Sequence, residues 1–418
     1  MNSTGGAPYH IGVRISVRIP RHARLIFFEE TGYGLLRNYI CETDSTLYLD
    51  PRKSLNIWVA IRMILSFKFS ATAYYATFLR LVKPKFIVSL QDNNLLLHSS
   101  SIYSPTSLVV AVQNGLRGTF SHNGSTNFWN ELNDISSRGG GADVIFTFDN
   151  NSANRYRQAL KAKQPRILIT GSLRNNALDI ARAPDHSNNQ RLVYISSFPN
   201  LGSKGDRSRW ETATLGFVQG VPLTFGEFYR IEGQVARRTA ILAEQWSLPF
   251  TVIGKRPTWQ IGEYQYFKEH LEGLDWTYLP RETESSSYNS IYSNDLIVNI
   301  DSTLGYELFS RGLRVAFIAA RMDSALHPEL AEHRFGYPEV LDPTGPFWTD
   351  TSDENEFDRV VSFIRDASGD KWSTVSNPIR ELLFEFDYKN TKLCRELDAM
   401  GISTLGPRLW DQDLIPTK

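Results

Sequence analysis

In the string LIVNIDSTLGYELFSRGLRVAFI, residues 296–318, an apolar run stops at Asp301, Ser302 and Thr303, and Gly305 and Glu307 follow within one helical turn. A strand that feeds a helix at Ser302 leaves backbone N–H groups and the positive end of the helix dipole exposed, which suits an anion. Ser302 and Thr303 can add hydroxyl donors to a phosphate. Gly305 permits close approach, and Glu307 can accept hydrogen bonds from a sugar or ribose hydroxyl. The competing reading is a capped helix in which Asp301 or Ser302 satisfies its own backbone. Two further apolar runs end in cations, VIGKRP in Lys255 and Arg256, and WTYLPRETESSSY in Arg281 beside a serine cluster. Two or three cations beside a helix N-terminus suit an anionic nucleotide.

In the first half of the chain, IVSLQDNN and VVAVQNGLRG place Asp92, Asn93, Gln113, Asn114 and Arg117 just after buried runs, and ITGSLRNN adds Ser172 and Arg174. Amides and a carboxylate at such positions can hold a hydroxyl-rich acceptor, although Asn114-Gly115 reads equally well as a turn. Glu227 and Glu232 follow Gly226 on a helical segment, where a carboxylate can serve as nucleophile or general base or can simply be solvated. There is no P-loop, no GxGxxG, no HExxH and no GxSxG, and the eight histidines have no metal-ligand spacing. No metal and no cofactor are expected.

These residues need strands to carry them. Short runs rich in β-branched and aromatic residues recur as RLIFFE, KFIVSL, SLVVAVQ, DVIFTF and RILITGS. They start again after residue 190 as RLVYISSF, PFTVIG, WTYLP, DLIVNID and RVAFIAA. Runs without alternation, separated by helical stretches, predict parallel sheets covered on both faces, and two sets predict two doubly wound α/β domains. The polar segment ARAPDHSNNQ, residues 181–190, marks the boundary. The expected domains are 1–185 on the acceptor side, 186–375 on the nucleotide-sugar side, and a helical tail, 376–418, packing back on the first. The glycine-rich loop FPNLGSKGDRSRW follows the first strand of the second set, so the cleft between domains is the expected site. In FGEFYRIEGQVARRTAILAEQW, Phe228, Ile231, Val235, Ile241 and Leu242 mark one core face.

The chain has 418 residues, 41% hydrophobic, with Lys+Arg and Asp+Glu equal at 45 each. That balance gives no global attraction to nucleic acid. The basic stretch VRISVRIPRHAR reads as a solvated strand edge ahead of a membrane-surface patch. IWVAIRMILSFKFSATAYYATFL carries Arg62 and Lys68 and reads as a buried helix rather than a span. Two cysteines, Cys41 and Cys394, make no disulfide framework and fit a reducing cytoplasm, including the inner face of a membrane.

The order QDNN, VQNGLRG, ITGS, GEFY, GKRP, SYNSIYSNDLIVNIDSTLGYELFSRGLRVAF, FGYPE and GPFWT resembles bacterial surface carbohydrate biosynthesis proteins. Those look like glycosyltransferases of two Rossmann-like domains, the GT-B arrangement, and are similar to retaining β-Kdo transferases that use CMP-activated 3-deoxy-manno-octulosonic acid. The resemblance implies a nucleotide sugar and a glycan acceptor as partners, with the donor at Asp301 to Glu307. It implies an acidic nucleophile whose match by order is Glu232, where that group has aspartate. Asp301 is the second candidate for the chemistry. A UDP-sugar transferase or epimerase-like enzyme, and a non-catalytic sugar-binding subunit of an assembly complex, are the rival readings.

Overall fold

The computed structural model describes residues 14–29, 33–43, 45–50, 54–67, 70–116, 127–179, 190–199, 211–218, 221–283, 285–321, 334–336 and 342–409. The first half contributes strands β1 (Arg14–Ser16), β2 (Leu25–Phe28), β3 (Thr46–Leu49), β4 (Ser54–Asn56), β5 (Phe86–Ser89), β6 (Leu108–Val112), β7 (Val144–Thr147) and β8 (Arg166–Ile169). Six of them form a wholly parallel sheet in the order β3-β2-β5-β6-β7-β8, while β1 and β4 pair separately. The second half adds β9 (Leu192–Ile195), a hairpin of β10 (Thr214–Val218) and β11 (Val221–Thr224), then β12 (Phe250–Ile253), β13 (Thr277–Leu279), β14 (Leu296–Asn299) and β15 (Arg314–Ile318). A short hairpin, β16 (Thr344–Gly345) and β17 (Trp348–Thr349), closes the edge. The order here is β13-β12-β9-β14-β15-β17-β16, parallel from β13 to β17.

Each sheet is thus doubly wound, and the chain folds as two Rossmann-like domains facing one another, as the rhythm of apolar runs predicts. Every residue of β2, β5, β7, β9, β12 and β14 is buried. That is why these strands read as continuous apolar runs rather than alternating ones. In the second sheet the chain reverses its direction of winding between β9 and β14. Ligands of open α/β sheets bind beyond the strand carboxyl ends at such a switch point.

Seven helices matter below: α1 (Ile57–Leu65), α2 (Ala71–Val82), α3 (Leu173–Ala177), α4 (Phe225–Gln245), α5 (Gly262–His270), α6 (Thr303–Ser310) and α7 (Thr391–Ala399). The expected single buried helix over 57–79 is corrected to two. The cap residue of α1, Ser66, leads into Phe67 with φ 51°, and Ser70 then caps α2 by accepting from Ala73 N at 3.0 Å. Half of α2 is buried, six residues of twelve, whereas in α1 only Val59 is. Along α4, Phe228, Ile231, Val235 and Leu242 are buried as expected, with Ile241 partly so. Leu393, Cys394 and Leu397 of α7, with Ile402 beyond it, pack among Leu25, Phe27 and Val88 of the first sheet. Both cysteines are free thiols. The 181–190 segment lies outside the described residues except Gln190. No helix among the described residues is long and apolar enough to cross a membrane.

Candidate functional site: a cavity at the carboxyl ends of the second sheet

A cavity of about 220 Å³ opens at the switch point. It is lined by Ile195 at the end of β9 and Ser196 after it, and by Gly254 and Lys255 after β12. Arg281 follows β13, Ser287 and Tyr288 precede β14, and Ser302, Thr303, Leu304 and Glu307 come from the start of α6. The first domain closes it with Asn114 and Arg174. The sequence-predicted Lys255, Arg281, Ser302, Thr303, Glu307 and Asn114 therefore meet in one place, and the cavity lies between domains.

The start of α6 is held by a residue of the preceding strand. Ser302 is the N-cap of α6, yet its hydroxyl does not cap the helix. Instead the Asn299 side chain holds the corner, its Oδ1 accepting from Ser302 N at 3.2 Å and its Nδ2 donating to Ser302 O at 3.3 Å. Among the described residues, the ammonium of Lys255 makes one hydrogen bond, a long 3.4 Å contact to the Ser197 carbonyl. Burial and the neighbouring Arg256 push its pKa down. A lysine so desolvated gains most from an anion that restores its charged form.

What aims Lys255 is Glu263, in the first turn of α5, which the sequence reading missed. Its buried carboxylate accepts from Lys255 N at 2.9 and 3.1 Å, Arg256 N at 2.8 Å, Tyr278 Oη at 2.8 Å and Ser196 Oγ. Burial raises its pKa. Nothing in the sequence distinguishes it from a solvated helix glutamate.

Several expected roles are corrected. Glu232 is fully buried and does not line the cavity. One oxygen accepts from Tyr194 Oη and from Ser197 N at 3.3 Å; the other accepts from Arg321, itself fully buried. Arg321 also grips Asp301 through two hydrogen bonds of 2.8 and 2.9 Å, donates to Phe228 O at 2.8 Å and lies over the Phe228 ring at 4.5 Å. Burial opposes its charge, but Asp301 and Glu232 overcome that and raise its pKa well above normal. Enclosed this way, the Glu232 carboxylate pairs with Arg321 and does not face the cavity. Asp301, held in the same cluster and by Ser197 Oγ at 3.0 Å, is likewise absent from the cavity wall. Arg321 was overlooked although it occupies the first polar position after the apolar run RVAFIAA, the same logic that selected Lys255.

Glu227 closes a capping box with Thr224 and belongs to the start of α4. Arg256 turns away from the cavity to the carbonyls of Phe198 and Pro199 at 3.0–3.2 Å. Gly305 is glycine for packing, because an added Cβ would stand 2.2 Å from the Asn299 side chain. Asp92 and Gln113 are buried braces. Asp92 accepts from Asn114 N at 3.1 Å and from Tyr156 Oη, and Gln113 bonds Phe148 N, Gly115 O and Ser152 at 2.8–3.1 Å. Asn93 is exposed. Arg117 and the 200–209 loop lie outside the described residues.

Glu307 does line the cavity, but its carboxylate already accepts from Ser172 Oγ of the first domain and Tyr288 Oη. Burial raises its pKa. Asn175 Nδ2 donates to Glu307 O at 3.1 Å and Arg311 Nε to Asn175 Oδ1 at 2.7 Å, so α3 and α6 bind the domains together beside the site.

Residues 110–400, more than half of the chain, match the family described as "putative O-antigen biosynthesis protein". The chain belongs to this family. The matched stretch of this O-antigen family member contains every residue of the cavity wall, from Asn114 to Glu307. No curated protein sequence matches the chain. Among solved structures, it is similar to the UDP-GlcNAc 2-epimerase of Neisseria meningitidis bound to UDP-GlcNAc, with TM-score 0.45 and 9% identity over 91% of this chain and 99% of that one. The UDP-GlcNAc 2-epimerase of Methanocaldococcus jannaschii gives 0.46 and 11% over 91% and 99%. The wall teichoic acid polymerase TagF gives 0.45 and 11% over 90% and 89%. At these scores the likenesses carry no argument about the chemistry of this chain.

Proposed function

We propose that this chain is a glycosyltransferase of surface polysaccharide synthesis that takes its sugar from a nucleotide-activated donor, a CMP-linked ulosonic acid such as Kdo being the donor the sequence resemblance favours. The observation that carries the proposal is the position of the cavity at the switch point, with Lys255, Arg281 and the uncapped start of α6 converging there. In this reading the donor phosphate sits against Ser302 and the first N–H groups of α6, while Lys255 and Arg281 offset the charge that develops on the departing nucleotide. The glycan acceptor approaches from the Asn114 side. Glu307, the carboxylate on the cavity wall whose affinity for protons burial has raised, takes the proton of the acceptor hydroxyl. Glu232 and Asp301 act through Arg321, keeping the strand ends in place.

The test is a thermal-shift screen with CMP and UDP, followed by mass analysis of nucleotide released from candidate nucleotide sugars. Ligand at about a hundred times its Kd stabilises by about 2.7 kcal/mol. CMP should shift the wild type and not Ser302→Leu, whose side chain fills the phosphate position. A shift by UDP alone would support the UDP-sugar alternative, and no shift with either would remove the donor-site reading.

A further inference from the structure

The most exposed apolar surface among the described residues lies far from the cavity in sequence, on β1, β4 and α1. Ile15, Val17 and Ile19 are 64–67% exposed, and Ile64, Leu65 and Phe67 reach 57%, 74% and 86%. On α1 the exposed Ile57, Ile61 and Ile64 recur at helical spacing, forming a stripe opposite the buried Val59.

This surface is built rather than frayed. β1 pairs with β4 in register, Ile15 opposite Leu55. Asn56 caps α1 by accepting from Val59 N at 3.2 Å, and its Nδ2 donates to Arg18 O at 2.9 Å, so one side chain ties the helix start to the strand. Trp58, 44% exposed, donates its indole N–H to Val17 O at 2.8 Å, which fixes the ring at the surface. Beside it a groove of about 410 Å³ is lined by Ile15, Ile19, Leu55 and Phe78 together with Arg18 and Arg21.

The stretches that carry this surface are charged with one sign. Residues 10–28 and 51–91 contain no Asp or Glu, against four arginines in the first stretch and seven Lys or Arg in the second. Arg18, Arg21 and Arg62 are exposed next to the apolar residues. A second copy docked on the same face by two-fold symmetry would set these cations against their equivalents, and residues 1–13 bring no carboxylate to neutralise them. An apolar stripe bearing an interfacial tryptophan and rimmed by arginines is complementary to a bilayer surface with anionic headgroups.

We propose that β1, β4 and α1 form a peripheral docking surface for an anionic lipid bilayer, with α1 lying in the headgroup layer. The inference does not depend on the nucleotide reading of the cavity.

The test is co-sedimentation of the full chain with vesicles of phosphatidylcholine alone and of phosphatidylcholine containing phosphatidylglycerol. Binding should be at least about tenfold tighter to the anionic vesicles and should weaken at high salt. Ile64→Asp with Leu65→Asp should abolish it while leaving circular dichroism and melting unchanged, since both side chains are exposed. Arg18→Glu with Arg21→Glu provides a second route to the same loss if the first pair perturbs the fold. No affinity for either vesicle, or binding that both variants retain, overturns the proposal. So does a dimer that the Ile64/Leu65 variant dissolves in a protein that ignores vesicles.

Discussion

Replacing Lys255 with methionine separates what this lysine costs the free protein from what it does for a ligand. Methionine keeps the straight chain and approximate volume but removes the ammonium, whose one hydrogen bond among the described residues is the 3.4 Å contact to Ser197 O. A charge-assisted hydrogen bond to phosphate is worth about 1.5–3 kcal/mol, so nucleotide affinity should fall about ten- to a hundred-and-fifty-fold. Stability should move the other way. Burial and Arg256 lower the folded pKa of Lys255 below its usual 10.5. Between the folded value and 10.5 the unfolded chain therefore binds more protons, and wild-type stability rises with pH across that window. Below it the desolvation cost is present in full. Lys255→Met should thus melt higher than wild type at neutral pH without nucleotide, and should lose the alkaline slope. Isothermal titration with CMP, paired with melting curves at several pH values, reads both effects. A variant that binds nucleotide like wild type and melts lower would show that Lys255 is a structural cation and that the donor site lies elsewhere.

Glu232→Gln should destabilise the protein by about 3 kcal/mol in chemical denaturation, because it strips one of two carboxylates from the fully buried Arg321. Nucleotide affinity should be little changed. Intact stability with turnover down about a hundredfold would restore the nucleophile expectation. Asp149→Asn addresses pH. Burial pushes the Asp149 carboxyl from 3.8 up to about 6, so its favourable contribution is present at acid pH and is lost as pH rises through about 6. Asp149 caps the helix Asn150–Ala159, accepting from Ser152 N at 2.7 Å, and asparagine caps a helix equally well. The variant should show a flatter stability profile between pH 4 and 6 and gain up to about 3 kcal/mol at neutral pH, and an unchanged profile would place the titrating group elsewhere.

The two sheets were legible because parallel strands buried on both faces announce themselves as unbroken apolar runs. β3 and the β10–β11 hairpin escaped notice because TLYL is only partly buried and VPLT begins exposed, so neither stands out from its surroundings. Strand-end logic found Lys255, Arg281, Ser302 and Asn114, since the polar residue after a buried run must emerge at the sheet edge. It could not decide which way a side chain turns there. Arg256 follows Lys255 directly yet points to the Phe198 carbonyl, and Asp92 follows β5 yet turns inward to Tyr156. Helical glutamates were the least legible. Glu227, Glu232 and Glu263 look alike in sequence, and only the packing makes the first a cap, the second a partner of Arg321 and the third the clamp behind Lys255.

That packing also answers an electrostatic objection to a phosphate site here. Four carboxylates, Glu232, Glu263, Asp301 and Glu307, crowd the carboxyl ends of the second sheet, and bare negative charges there would repel a nucleotide. Each is answered locally. Asp301 and Glu232 share the guanidinium of Arg321. Glu263 faces the N–H groups of Lys255 and Arg256 and two hydroxyls, and Glu307 faces two hydroxyls, and burial raises the pKa of both. With those charges screened at close range, the field inside the cavity is left to the groups that face it, Lys255, Arg281, Arg174 and the start of α6. Glu232, Glu263 and Asp301 therefore serve the anion site from behind, holding its cations and its loops in place without presenting their own charge to the ligand, while Glu307 stands on the wall itself.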